Sequence, residues 1–342
     1  MRLPRQSCFN MRCAWSADAR RVGAAAALVA TLACGGNPHG PIVRVTIPPG
    51  SSFRAAADSL HHAGLVSAPR LFRLYAQITG RDRDIKAGTY GLQREMGWSA
   101  LVTALHEGQG LERRLTIPEG WSIREIAPAL AKALGAPVDS VDSAMRDTAL
   151  LRSLDVPTQT LEGYLFPDTY VFAYGTSPRA AVREMVQRFE QVWDPRWDER
   201  LQQLAMSRND IVALASIIEK EARLPEERPV ISAVYHNRLK AQMPLQADPT
   251  IQYALGEHHD RVTYHDLEVE SPYNTYRHPG LPPGPIASPG RASMEAALYP
   301  ASVPYLYFVA DTDGHHEFRT TFQEHKAAKA EIRKEKKPDN RG

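Results

Sequence analysis

Two stretches of this chain obey the same local rules. VTIPPGSSFRAAADSLHHAGL (45–65) and LTIPEGWSIREIAPALAKALG (115–135) align at an offset of 70 residues. Thr46/Thr116, Ile47/Ile117, Pro48/Pro118, Gly50/Gly120, Ser52/Ser122, Arg54/Arg124, Ala57/Ala127 and Leu60/Leu130 are identical pairs. Each copy reads as a short strand, a Pro-x-Gly turn, a serine able to cap, and an amphipathic helix. In the second copy Ile123, Ile126, Ala127 and Leu130 recur at helical spacing. With Ala63/Ala133 that makes nine identities in 21 positions, which point to a common ancestry or a common role, beyond the general likeness of strand–turn–helix units. A chain built this way is a mixed α+β protein with at least two such units.

Between the copies, IKAGTYGL (85–92) reads as a strand and WSALVTALHEG (98–108) as a helix ended by Gly108. Residues 42–110 therefore form a small α/β module, and a larger mixed body follows. In that body LEGYLFPDTYVF (161–172) reads as a turn feeding a strand, and 177–193 as a helix. Residues 209–222 form a second helix with Asn209 or Asp210 as its cap, and 230–240 a third. VPYLYFVAD (303–311) reads as a buried strand. Before it, SPYNTYRHPGLPPGPIASPG (271–290) is twenty residues of irregular chain, a length that in a compact domain often marks function.

The 342 residues carry a formal net charge of +2 with both signs mixed along the chain, which gives no electrostatic case for a nucleic-acid partner. Only the end, from 327 on, is a dense charge run, read as a solvated helix end or a disordered terminus. At the start, Arg20 and Arg21 precede a thirteen-residue apolar run, VGAAAALVATLAC (22–34), followed by a Gly/Pro linker over 35–41. That is the shape of an export signal or a short membrane anchor, and it falls below the roughly 20 apolar residues of a spanning helix. TLAC-GG loosely resembles a lipoprotein cleavage site with Cys34 as the acylated residue, although Thr31 stands where an aliphatic residue is usual. Met11 is an alternative start. All three cysteines (Cys8, Cys13, Cys34) precede residue 35, so the body has neither a disulfide framework nor a thiolate metal site.

ALASIIEKEA (213–222) places two glutamates at the end of an apolar helix. At about 100° per residue from Ile211, the apolar face centres at about 330°, Glu221 falls at about 280° and Glu219 at about 80°. Glu221 thus lies within the apolar face and Glu219 toward its edge. A carboxylate held against aliphatic side chains loses hydration, its pKa rises, and it becomes suited to general-acid work near neutral pH. The plainer alternative is an ion pair with Arg223 or Arg228, and geometry alone does not choose between them. No HExxH, GxSxG, P-loop or dinucleotide fingerprint is present. His258-His259 and His315-His316 read as solvated loops rather than metal ligands, so neither metal nor cofactor is expected. LQADPTIQYALG (245–256) and SPYNTY (271–276) supply tyrosines and amides of the kind that line sugar-binding clefts. Asp248-Pro249-Thr250 reads equally well as a cap for the helix that follows.

ASIIEKEA, NRL (237–239), LQADPTIQYALG, SPYNTY, GLPPGPIASPG and PYLYFVAD occur in that order, with KAGTY and LEGYLFPDTY before them. Together they resemble the YceG-like family of endolytic murein transglycosylases over roughly residues 42–326, and PPGSSFRAAADSL is similar to the opening of a LysM-type module. The resemblance implies a basic cytoplasmic N-terminus (1–21), an anchor or signal (22–34), a linker (35–41), a LysM-like module (42–110), a catalytic domain (111–326) and a charged tail (327–342). It implies Glu221 as the catalytic acid and base, with Gln246, Asp248, Tyr253, Tyr273, Asn274, Thr275 and Tyr276 as candidates for lining the site. It also implies peptidoglycan glycan strands, the plasma membrane and peptidoglycan synthases as partners, with the catalytic domain outside the cytoplasm. A muramidase with Asp248 as base and a non-catalytic wall-binding scaffold are the competing readings.

Overall fold

The computed structural model describes residues 41–256, 262–311 and 313–335. The apolar run at 22–34, the three cysteines and His258-His259 lie outside the described residues. Among the described residues no helix is long and apolar enough to cross a membrane. The described chain is mixed α+β and divides into two compact units between Arg113 and Arg114.

In the first unit β1 (Ile42–Ile47) pairs antiparallel with β2 (Gly88–Gln93), from Ile42 opposite Gln93 to Ile47 opposite Gly88. The start of β3 (Leu111–Thr116) adds to β2 through Thr89/Glu112 and Tyr90/Leu111. Helices α1 (Phe53–His62), α2 (Pro69–Ile78) and α3 (Trp98–Glu107) supply the rest. Their apolar stripes meet the strands in one core, where Phe72 stacks on Phe53 at 5.6 Å and meets the Trp98 ring edge-on at 5.8 Å. Ser52 caps α1 by accepting the Ala55 N–H, and Gly108 closes α3 in the left-handed conformation.

In the second unit the same strand–turn–helix pattern recurs. Ile117 N–H donates to the Asp168 carbonyl, and the Thr116 and Thr169 hydroxyls bond, which ties this segment to β4 (Thr169–Ala173). Gly50 and Gly120 occupy equivalent turn positions with φ of 75° and 78°, a conformation that favours glycine. Ser122 and Glu125 form a capping box at the start of α4 (Ile123–Leu134). Next come α5 (Val138–Met145), α6 (Thr148–Ser153), α7 (Pro178–Val192) and α8 (Arg196–Leu204).

Helix α9 (Arg208–Glu221) runs through the centre of this unit, and every residue from Ile211 to Ile218 is buried. Its cap is Ser207, in a capping box with Asp210, and not Asn209 or Asp210. Asn209 is buried instead, where its amide donates to the Pro283 carbonyl. Around α9 lie α10 (Arg228–Lys240), α11 (Asp248–Leu255) and α12 (Arg291–Leu298). A hairpin of β5 (Tyr307–Ala310) and β6 (His316–Arg319) and a last helix, α13 (Phe322–Glu335), complete the unit. Two sequence expectations change here, and of the two readings of the charged end the helical one holds. β5 is half-buried rather than a core strand, because it belongs to a two-stranded sheet. The His316 side chain is buried against Glu227 (Nδ1–Oε2 2.6 Å), edge-on to Phe308, so only His315 is solvated. The charged end is helical through 335, with Ala328 and Ile332 buried.

The 271–290 stretch forms no helix or strand, yet it is fixed. Asn209 holds the Pro283 carbonyl, Ser216 Oγ accepts the Ile286 N–H at 3.0 Å, and Glu219 Oε2 accepts the Gly290 N–H at 2.9 Å. Three polar residues along α9 thus take the place of a ladder. The turn at 161–165 packs on the same loop. Gly163 has φ of 81°, and a Cβ there would collide with the Pro285 ring. Gly163→Ala combines that overlap with backbone strain, so a loss of about 3 kcal/mol in urea-unfolding stability is expected.

Glu162, beside it, is 1% exposed and accepts the Ile123 N–H at the start of α4. Burial pushes its carboxyl up to about 8, although the Ile123 N–H, the Tyr253 hydroxyl and the Arg124 charge pull the other way. The folded protein therefore keeps a proton that the unfolded chain releases at its ordinary value of 4.5. This group makes stability fall as pH rises between those two values and level off above them. Glu162→Gln should lack that part of the slope in urea midpoints measured from pH 4.5 to 8.

Candidate active site

The two glutamates at the end of α9 have different surroundings. Because the helix is enclosed on all sides, position on its wheel does not separate them; their partners do. Glu219 is a buried structural group. It faces Arg228 at 3.4 Å with its side chain 6% exposed, and it accepts the N–H of Gly290, the residue that precedes α12. Arg228 in turn donates to Ser293 Oγ on α12. So the ion pair expected as the plain fate of Glu221 belongs to Glu219.

Glu221 lines a cavity of about 240 Å³ and is half-buried. Its hydrogen-bond partner is neutral: the Tyr235 hydroxyl on α10 donates to Oε1 at 3.2 Å. Burial, then the nearby Asp248 charge, push the Glu221 carboxyl up to about 7, against the Tyr235 bond and the more distant charges of Arg238 and Arg223. The same burial raises the Tyr235 phenol well above its ordinary range. Near neutral pH this gives a carboxyl able both to hold a proton and to release it.

Arg238 also lines the cavity, but its donors are engaged elsewhere. Nε bonds the Leu306 carbonyl at 2.7 Å and Nη1 the Leu245 carbonyl at 2.6 Å. Asn237, next to it, bonds the Val303 and Tyr305 carbonyls at 2.8 and 2.9 Å. The NRL segment of α10 therefore clamps both the strand approach and the loop that carries Gln246 and Asp248. Gln246 sits at φ of 51°, with its N–H on the Thr275 carbonyl.

Asp248 is the first residue of α11, and Ala247 holds the cap position with no side-chain bond. The capping role read for Asp248 is thus not the one observed. Its carboxylate faces the cavity and accepts the Tyr276 hydroxyl at 2.5 Å. Burial and the Asp248 charge both raise the Tyr276 phenol.

Of the residues named from sequence, Glu221, Gln246, Asp248 and Tyr276 come together in this cavity. Asn274 and Thr275 do not reach it. Asn274 is wholly buried, with its amide on the Leu267 and Val269 carbonyls and its oxygen on the Tyr276 N–H. Thr275 Oγ1 accepts the Ala247 N–H and bonds Thr250 Oγ1. Both shape the loops that present their neighbours. Tyr253 and Tyr273 meet at 4.8 Å on a second, larger cavity.

Sequence reasoning missed Tyr235, Arg238, Tyr307, His325 and Lys329 as cavity residues. Tyr235 lies three residues before Arg238 of the NRL motif, about one helical turn earlier on α10, and that spacing was the available signal. His325 and Lys329 lie on α13, where a run of charges concealed one buried face. His325 stacks on Tyr307 at 5.3 Å, and burial drives its imidazole down to about 4, so it is neutral here. Among the described residues no group of three His, Cys, Asp or Glu forms a metal site.

The YceG-like family profile matches residues 45–331. An endolytic murein transglycosylase of Bacillus subtilis is 36% identical over 303 residues, 84% of each chain. Endolytic murein transglycosylases of two Streptococcus pneumoniae strains are 31% identical over 315 residues, 83% of this chain and 57% of theirs. A crystal structure of a putative YceG-like protein from Listeria monocytogenes matches with a TM-score of 0.59 at 36% identity, covering 84% of this chain and 99% of that one. The match runs through both units and includes the helix that carries Glu221, and the chain belongs to the YceG-like family.

Proposed function

We propose that this chain is a lytic transglycosylase that cuts peptidoglycan glycan strands internally between N-acetylmuramic acid and N-acetylglucosamine. The observation that carries the reading is the Glu221 carboxyl, set in a cavity and raised to about 7, with its bonded partner neutral. The names of the Bacillus and Streptococcus relatives support the same reaction class.

In this mechanism neutral Glu221 donates its proton to the glycosidic oxygen as the bond from C1 to that oxygen breaks. The N-acetylglucosamine fragment leaves with a new hydroxyl. The muramic C6 oxygen then bonds to C1, and its proton passes to the Glu221 carboxylate. The sugar becomes a 1,6-anhydro end, and the enzyme returns to its starting state without water being consumed. One carboxyl serves both steps, since the nucleophile belongs to the sugar. Tyr235 orients the carboxyl. Asp248 opposes its ionisation and so keeps the acid form present. Gln246, Asp248 and Tyr276 are the polar groups this reading assigns to the sugars.

The body acts outside the cytoplasm in this reading. The 22–34 segment would hold it to the plasma membrane as a spanning helix, as a lipid anchor at Cys34, or would be removed as a signal. Peptidoglycan synthases, which make uncut strands, are the partners proposed.

A hydrolytic reading has one observation in its favour: Asp248 shares the cavity with Glu221 and could serve a water as base. Mass spectrometry of strand ends separates the two. Anhydro-muramic ends from the wild type, lost by about a hundredfold or more in Glu221→Gln, are expected for an essential acid. Reducing ends, heavier by one water, would transfer the assignment to hydrolysis.

The pH profile is a second test. The acid form of Glu221 is lost as pH rises through about 7, so kcat/KM should decline above that value. Asp248→Asn removes a charge that raises the Glu221 pKa, and the alkaline limb should move to lower pH. A limb that stays in place would remove Asp248 from this role.

A further inference from the structure

Of the other cavities on the second unit, two are lined by residues of α11. One, of about 230 Å³, is lined by Ser122, Arg124, Lys220, Pro249, Gln252 and Tyr253, among others. The other, of about 670 Å³, is lined by Arg124, Arg146, Gln159, Tyr253 and Tyr273, among others. These two share Arg124 and Tyr253. The first of them adjoins the Glu221 cavity through consecutive residues, Lys220 beside Glu221 and Pro249 beside Asp248.

Helix α11 explains the continuity. At about 100° per residue from Asp248, Gln252, Gly256, Pro249 and Tyr253 follow at about 40°, 80°, 100° and 140°. Thr250 and Ile251, at about 200° and 300°, are the buried side. Proceeding around the open face therefore passes from the first cavity to the second and then to the third. Asp248 and Tyr253 are about 7.5 Å apart along the axis, so the third cavity also lies further along the helix.

The lining has the character of a polysaccharide site. Tyr253 and Tyr273 pair at 4.8 Å with Arg124 over the Tyr253 ring at 5.2 Å. Arg124 also fixes its own position through the Tyr253 carbonyl at 3.0 Å. Behind them the neutral Glu162 carboxyl holds the Tyr253 hydroxyl. Arg146, on the rim, is exposed, and its side chain makes no ion pair or hydrogen bond among the described residues.

We infer that the open face of α11 is a track for the glycan strand, leading from Glu221 to a distal subsite formed by Tyr253, Tyr273, Arg124 and Arg146. Arg146 is the group in it that would meet the strand's carboxylate substituents. The inference rests on the proposed reading that Glu221 acts on glycan strands. A strand held at a subsite remote from the cut is cleaved within its length rather than at its tip.

The test uses the full chain and uncrosslinked peptidoglycan strands graded by length. In the wild type, kcat/KM should rise with length until the distal subsite is filled. Arg146→Ala should lower kcat/KM on long strands by about tenfold, the value of one lost charge-assisted hydrogen bond, and flatten the length dependence. Tyr273→Ala should flatten it as well. The Arg146 side chain is exposed and carries no hydrogen bond or ion pair of the fold, so its variant should keep the wild-type thermal midpoint and decides the matter if Tyr273→Ala misfolds. An Arg146→Ala length profile parallel to that of the wild type overturns the track. If the wild type cuts no strand, the transglycosylase reading fails by itself. Sedimentation with long strands then judges the track in the Glu221→Gln protein: tenfold weaker binding with Arg146→Ala added sustains it, and unchanged binding overturns it.

Discussion

Enclosure of α9 is the constraint on which the second unit depends. A helix buried on every side must be apolar or must find an internal partner for each polar group it carries. Asn209, Ser216 and Glu219 meet that requirement by bonding the backbone of the 271–290 loop, which has no other regular pairing. The helix thereby gains satisfied polar groups, and the loop gains a fixed path. Glu221 follows at the end of the same helix, where enclosure gives way to a cavity. Its raised pKa and the order of the loop thus have one origin.

The carboxylates around this helix illustrate how little residue type decides. Glu219 and Glu221 stand two positions apart on one helix. Removing an ion pair from water costs several kcal/mol per charge unless its remaining hydrogen-bonding capacity is met, and the Gly290 N–H and Ser293 hydroxyl meet it for Glu219 and Arg228. Glu221 has a phenol and a neighbouring carboxylate instead, and its proton is held more tightly in consequence. Glu162 goes further in the same direction, sealed beneath a tyrosine pair with a backbone N–H for company.

Much of the fold was legible in the sequence because local signals carried it. The repeated strand–turn–helix pattern, the glycine that closes α3 and the apolar spacing of α4 all act within a few residues, and the helices and strands lie close to where those signals put them. The site was legible in part. Glu221, Gln246, Asp248 and Tyr276 converge on one cavity, whereas Asn274 and Thr275 turn inward to support it. Polar residues in an irregular loop look alike in sequence whether they face a ligand or the loop's own backbone. His316 was misread for a related reason, since its burial follows from a partner distant in sequence, Glu227, and on α13 the exposed charges concealed His325 against the cavity wall. The wheel of α9 could not separate Glu221 from Glu219, because a helix surrounded by protein has no solvent side from which to measure.

The division of labour within the EKE triplet bears on how such sequences diverge. Glu219 is retained by the demands of folding, since it fastens α12 and the proline-rich loop to the central helix. Glu221 has a phenol as its hydrogen-bond partner and faces a cavity, so its replacement by an amide leaves the architecture supported. On the proposed role of Glu221, a descendant that abandoned catalysis would drift first at the second glutamate while the first persisted. In an inventory of related genomes, silent copies would be told from active ones by that single position, and a largely intact triplet would be a poor guide to which copies still cut the wall.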